Sequence, residues 1–360
     1  MDAASALPVF PHIKTQAELQ QNVVEACIEL DQPRQALEYT RGIGNWRRGV
    51  GYADLAGWLA EGAMEPGFEE LVALAEQESR LEGEENPQDW QRDLIRSKLA
   101  VALFEVGRAG DAAQFEVDLE DSEVGRVAAA KAGLLDRDEL EARLGELDEL
   151  VHAATFDQLV SALEAAVQLY QRGFDDVDLR ARCDAWIERA SRKLPAQIRL
   201  ETRLDLVRVA AALGDDVEAR SQVDHARAVL DGASWLPEDR VPLTARVAAA
   251  RFVAGDEQTA RVEATEALDL FHEGRETIQD FWRGEALRPL AEAYATMGAE
   301  ADALRVYRIA AEESTSNANA RPRCEDLVAT CLSMALHDVQ PDAELRARLL
   351  ATREGLEDPW

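Results

Sequence analysis

Two acidic runs come closest to a chemical motif in this chain: "FDDVD", with Asp175, Asp176 and Asp178, and "GDDVE", with Asp215, Asp216 and Glu218. All-helical isoprenoid enzymes hold magnesium on an aspartate-rich DDxxD, and neither run has that spacing. Each stands shortly after a glycine, Gly173 or Gly214, where a second helix would begin. Acidic side chains there cap the helix and complement its dipole, so capping is the expected role.

A glycine-rich stretch, "RGIGNWRRGVGYADLAGW", poses a second question. It holds Gly42, Gly44, Gly49, Gly51 and Gly57, with Arg47 and Arg48 among them. A phosphate loop must follow a strand and open a helix within a βαβ unit. Here the preceding segment, "PRQALEYTRGI", reads as a helix. Gly42 and Gly44 are then its stop and Asn45 the cap of the next. Gly49 and Gly51 fall inside that next helix, where each costs about 1 kcal/mol against Ala. Their presence implies close approach by a neighbouring helix or a ligand chain.

Cysteine and histidine chemistry is thin. Cys324 and Cys331 lie on one helical face but ~10 Å apart along the axis, beyond the ~7 Å limit for a disulfide. With Cys27 and Cys183 they are expected to be buried thiols. The five histidines are scattered and no CxxC occurs, so no metal site is expected. No GxSxG, HExxH or Walker-type loop appears either, and no cofactor is expected.

The elements that would position any site are helices. "LDLVRVAAAL", "LTARVAAARFV" and "ALRPLAEAYATM" are built from Ala, Leu and Arg, strong helix formers, and Gly, Asp and Pro interrupt the pattern at short intervals. The interruptions keep a register. Gly214, Ala219 and Ala226 repeat as Gly255, Ala260 and Ala267 and again as Gly298, Ala303 and Ala310. The glycine slot falls at Gly173, Gly214, Gly255 and Gly298, spaced by 41, 41 and 43 residues, and the next falls at Asp338, followed by Ala343. Asp31, Gly62 and Gly107 occupy looser earlier slots, and Gly133 opens a further one. Glycine lets the first helix of a pair end left-handed; the alanines let the second pack close. A sustained period near 40 residues is the signature of a helical solenoid.

The stretch "LAEAYATMGAEADALRVYRIA" resembles a tetratricopeptide repeat. Leu290, Ala291 and Tyr294 fit the family's first helix, and Gly298, Ala303, Tyr307 and Ala310 its turn and second helix. The resemblance implies a right-handed, all-α solenoid of helix pairs, here with a period longer than that family's usual one; HEAT-like pairing is the alternative for the weaker half. The expected division is an extension over 1–15, a divergent repeat half over 16–160 and a tetratricopeptide-like half over 161–360.

In that family the first helices line a concave face. Positions carried over from the turn give Tyr52 in one copy, Glu201 and Arg208 in another, and Glu285, Arg288 and Glu292 in a third. The Asn and Lys of the family's carboxylate clamp are missing: only Asn22 and Asn45 lie near first helices. Trp46 with Arg47 and Trp282 with Arg283 stand in one register, each sixteen residues before its slot at Gly62 or Gly298. They are candidate interface anchors or packing beneath the previous repeat.

The formal charge is −31, from 70 acidic and 39 basic residues, of which only Lys14, Lys98, Lys131 and Lys193 are lysines. Such a field repels nucleic acid and anionic membrane and attracts a basic protein. No run approaches the ~18 apolar residues of a membrane span, and "MDAASALPVF" has no signal-peptide pattern. The expectation is therefore a cytoplasmic, non-catalytic scaffold that binds a protein or peptide segment, basic in character, in a groove. Self-association stays open. The alternatives are a regulatory sensor of a peptide or small ligand, and an all-helical enzyme, which a deep pocket with converging carboxylates would favour.

Overall fold

In the computed structural model, which describes residues 1–7, 9–62, 66–80, 88–132, 137–317 and 319–356, the Ala-, Leu- and Arg-rich segments form helices throughout. The slot expected at Gly133 lies outside the described residues. In chain order the helices are α1 (Asp2–Ala6), α2 (Val9–Glu29), α3 (Pro33–Arg41), α4 (Arg47–Glu61), α5 (Phe68–Ser79), α6 (Asp89–Glu105), α7 (Ala109–Ala112), α8 (Asp121–Ala132), α9 (Arg137–Ala153) and α10 (Phe156–Arg172). They continue as α11 (Val177–Ser191), α12 (Ala196–Ala212), α13 (Asp216–Gly232), α14 (Pro237–Val253), α15 (Glu257–Gly274), α16 (Asp280–Thr296), α17 (Glu300–Ser314), α18 (Ala320–Leu336) and α19 (Ala343–Glu354). No strand occurs among the described residues.

One turn recurs. At Asp31, Gly107, Gly214, Gly255, Gly298 and Asp338 the backbone is left-handed. In each case the following N–H reaches back five residues to close the helix, as from Asp215 to Ala210 (3.0 Å), Asp256 to Arg251 (3.1 Å), Ala299 to Tyr294 (2.8 Å) and Val339 to Met334 (2.9 Å). This double closure satisfies the last carbonyls of the outgoing helix. The residue after the glycine then starts the next helix: Asp215 caps through Glu218 N–H and Asp256 through Thr259 N–H. Gly173 departs from the pattern. Its φ is −89°, and the chain turns there through Asp176 N–H bonded to the Gly173 carbonyl (3.0 Å). At the Gly62 slot the left-handed residue is Gly67 instead.

Asp31 and Asp338 carry a side chain at φ 57° and 52°. A left-handed L-residue costs about 1–2 kcal/mol, less for Asp. Asp338→Gly is therefore expected to stabilise the protein by at most about 1 kcal/mol after glycine's own entropy cost, read as a higher midpoint in urea. A lower midpoint would mean that the Asp338 side chain contributes more than its backbone strain costs.

The chain forms two compact units, one of residues 1–26 with 203–360 and the other of residues 27–202. The boundary expected at 160/161 falls inside α10, and residues 1–15 are no free extension. α1 packs on α18 within the first unit, where Ala4 and Leu7 are buried and the Cys324 thiol donates to the Ala3 carbonyl (3.3 Å).

In the first unit the repeated alanines Ala219, Ala226, Ala260, Ala267, Ala303 and Ala310 are all fully buried. Ala343 breaks the pattern: it is exposed, and Leu345 takes the core position beside it. Ion pairs tie consecutive hairpins in register, with Arg227 to Glu266, Arg275 to Glu313 and Arg288 to Asp326 joining residues 38 or 39 apart. In the second unit, α4 is buried nearly all round. A Cβ on Gly49 would lie 2.7 Å from Glu78 Cβ and Ile95 Cδ1, and one on Gly51 2.8 Å from Thr40 Oγ1. Both glycines are close-approach positions between helices. Gly42 ends α3, and the Asn45 carboxamide accepts from Arg47 N–H (3.0 Å). The glycine-rich stretch is thus the turn between α3 and α4 followed by most of α4 itself, and no strand precedes it among the described residues.

Candidate functional site

The acidic runs are engaged as caps. Asp176 accepts from the amides of Asp178 and Leu179 at the start of α11, and Asp215 does the same work for α13. The cysteines are all free; Cys27, Cys183 and Cys324 are buried, whereas Cys331 is exposed, contrary to the expectation. Burial pushes the thiols of Cys183 and Cys324 up to about 11, far from a reactive thiolate.

The surface feature that gathers several expected residues is a cleft of about 970 Å³ in the first unit. One wall is the segment from Leu7 into α2, with His12, Glu18 and Asn22. A second is the start of α16, with Phe281, Trp282, Glu285 and Arg288. A third runs from Asn317 into α18, with Arg321, Glu325 and Asp326. α16 can lie this close to α17 and α18 because position 284 is glycine. A Cβ there would meet Ser314 Oγ at 2.3 Å and Asp326 Oδ2 at 3.1 Å.

Polar contacts fix the walls. Arg288 donates to Asp326 (2.6 Å), with only 14% and 7% of the two side chains exposed, and Arg321 donates to Glu325 (2.8 Å). Asn317 holds the turn before α18, donating to Asp280 (3.4 Å) and accepting from Asn319 N–H (2.8 Å). At the rim, Trp282 is 39% exposed and stacks at a tilt on Phe281, 4.9 Å between ring centres. Glu285 is solvent-accessible. Enclosure by the cleft nonetheless raises its carboxyl above the usual carboxylate range; Asp326 and Glu325 add to the rise and Arg288 opposes it.

No family model matches this chain. No curated protein matches it either. Among solved structures, it is similar to a "circular tandem repeat protein with novel repeat topology and enhanced subunit contact surfaces", at 14% identity and a TM-score of 0.29, over 96% of this chain and 88% of that one. The helical-repeat character described above rests on the recurring turns and buried alanines of this chain itself.

Of the residues singled out in the sequence, Trp282, Glu285 and Arg288 come together in the cleft. Glu292, one turn further along α16, points its carboxylate into a hydrogen-bond chain: Ser333 donates to it (2.6 Å), and Tyr307 lies 2.7 Å from Ser333. Arg208 is exposed and pairs with Asp205 on its own helix, outside the cleft. Tyr52 is only 5% exposed, so it is a core residue of α4 and presents no surface to a partner. Trp46 is half-buried, edge-on to Trp90 at 5.2 Å with the Arg47 guanidinium 5.0 Å over its ring. Glu201 accepts from Gln197 on its own helix (3.3 Å).

Sequence reasoning missed the N-terminal wall of the cleft. The stretch over 1–15 reads as an extension because its partners, α16 and α18, lie some 270 residues or more downstream in the sequence. A signal was present in the apolar Leu7 and Leu19, which need a core to bury them.

Proposed function

We propose that this chain is a non-catalytic helical-repeat scaffold that holds a segment of a protein partner in the cleft of its first unit. Right-handed, tetratricopeptide-like stacking of the pairs over residues 203–356 is the arrangement this reading takes. The observation that carries it is the composition of the cleft: an exposed tryptophan, Trp282, stacked on the partly buried Phe281, in a concavity where the Arg288–Asp326 ion pair braces α16 to α18. A rim tryptophan beside fixed charges is the composition of a binding hot spot. The protein's strong negative charge favours a basic partner and fast, salt-sensitive encounter.

The converging carboxylates also invite an acid–base enzyme. Two of them are committed to ion pairs, Asp326 with Arg288 and Glu325 with Arg321, an arrangement that favours recognition over proton transfer.

The test begins with affinity purification from the native host at low salt and at about 0.5 M salt, where screening shortens the reach of charge. For the partner so identified, Trp282→Ala is expected to weaken binding by about 30-fold or more, the effect of losing a hot spot. Arg208→Ala, outside the cleft, is expected to leave binding unchanged. Equal binding by wild type and Trp282→Ala would overturn the cleft assignment. Salt-insensitive association would overturn the electrostatic part.

A further inference from the structure

We propose that the cleft receives an arginine side chain of the partner peptide, seated between the Trp282 ring and Glu285. The inference rests on the reading of this cleft as a peptide site and adds the chemistry of the side chain it takes.

Charge balance is the first argument. Four carboxylates line the cleft, Glu18, Glu285, Glu325 and Asp326, against two guanidinium groups, Arg288 and Arg321. Arg288 is spent on Asp326 and Arg321 on Glu325, with Glu18 also in the field of Arg321. The surplus falls on Glu18 and Glu285, and at Glu285 the attraction of Arg288 is opposed by the crowding of Asp326 and Glu325. A cation placed there reverses that crowding.

The backbone supplies the second argument. α16 contains Pro289. Proline has no N–H, so the carbonyl four residues earlier, that of Glu285, lacks the donor a helix normally gives it. Glu285 thus offers a carboxylate and an acceptor-rich carbonyl at one residue. A guanidinium, with five N–H donors in a planar fork, can bond the carboxylate through two parallel N–H groups; an ammonium presents a point charge.

The third argument is the aromatic face. Trp282 and Glu285 are three residues apart on one helix, so their side chains are neighbours on its surface. A guanidinium bound to Glu285 lies within reach of the exposed indole, the best of the aromatic faces for a cation. Arg288, three residues beyond Glu285, is turned to Asp326.

The experiment titrates the full chain with the peptide Ac-Gly-Ser-Arg-Ser-Gly-NH2 and with its citrulline and lysine counterparts, following the tryptophan indole N–H signals by NMR. The Trp282 signal is assigned by its loss in Trp282→Phe. The arginine peptide is expected to shift that signal and to bind about tenfold more tightly than the neutral, isosteric citrulline peptide, the difference of one charge-assisted pair. Glu285→Gln should remove that preference while leaving thermal melting unchanged. Equal affinity for arginine and citrulline at Trp282 would overturn the inference and leave the peptide cleft standing. Equal affinity for lysine would overturn the assignment to the planar fork. If no peptide moves Trp282, the arginine site is wrong. The cleft reading itself falls only if the full partner also binds Trp282→Ala normally.

Discussion

Arg251→Met is expected to destabilise the protein by about 3 kcal/mol at neutral pH and by much less at about pH 5. Arg251 lies on α14 with 8% of its side chain exposed; its Nε donates to Glu263 (2.9 Å) and its Nη1 to Asp224 (2.8 Å). Glu263 is 7% exposed. Its carboxyl is already raised by burial, with hydrogen bonding and attraction from Arg251 opposing the rise. Methionine keeps much of the aliphatic volume of the arginine stem, so the loss reports chiefly on charge. Removing one member of a buried pair costs about 3–5 kcal/mol, because the other is left uncompensated. Arg227, 3.7 Å from Glu263, keeps the cost at the lower end.

The sign of the pH dependence follows. Without Arg251 the folded-state carboxyl of Glu263 rises further above its unfolded value of about 4.3. Over the interval between those two values the folded variant holds a proton that the unfolded chain has lost. Stability then falls as pH climbs through the interval, and the penalty is absent below it. Urea unfolding followed by far-UV circular dichroism at both pH values would measure this. An equal loss at both would show that Glu263 is not left charged and buried.

The turns were legible because their chemistry is local. A left-handed residue followed by a cap needs only a Gly-Asp pair or a tolerant aspartate, and Asp338 could be placed from register alone, with Asp31 at a looser slot. Gly173 misled because a glycine at the right spacing can also end a helix with an ordinary φ. Tyr52 was misplaced for a non-local reason: Gly49 and Gly51 let neighbouring helices close around α4, so a position that the family register assigns to a concave face is enclosed. Glu292 likewise sits at the expected register, yet Ser333 on α18 draws its carboxylate inward. The cleft's N-terminal wall depends on contact between the two ends of the chain, as from Ala3 to Cys324, and no local pattern encodes that.

Ala303→Trp is the second large effect expected, a loss of about 3 kcal/mol or more. Ala303 is fully buried in the first turn of α17, in the core cluster that joins α16 and α17 and includes Leu290, Ala291, Tyr294, Val306 and Tyr307. An alanine in this slot lets the two helices approach closely. An indole finds no vacant volume there, so it must separate the helices or take a strained rotamer. Overpacking by even a few methylenes costs about 1–3 kcal/mol, and tryptophan adds far more than that. Two controls separate this seam from a general intolerance of tryptophan. Arg305→Trp, two residues along on the exposed face of the same helix, should stay within about 0.5 kcal/mol of wild type. Ala343→Trp tests the register itself, because Ala343 follows Asp338 as Ala303 follows Gly298, yet it is exposed at the start of α19. It should be tolerated as well as Arg305→Trp. A melting temperature unchanged in Ala303→Trp would mean that the α16–α17 seam is not close-packed. A large loss in Ala343→Trp would mean that the last pair packs through the same alanine slot as its predecessors, and that Leu345 does not replace it.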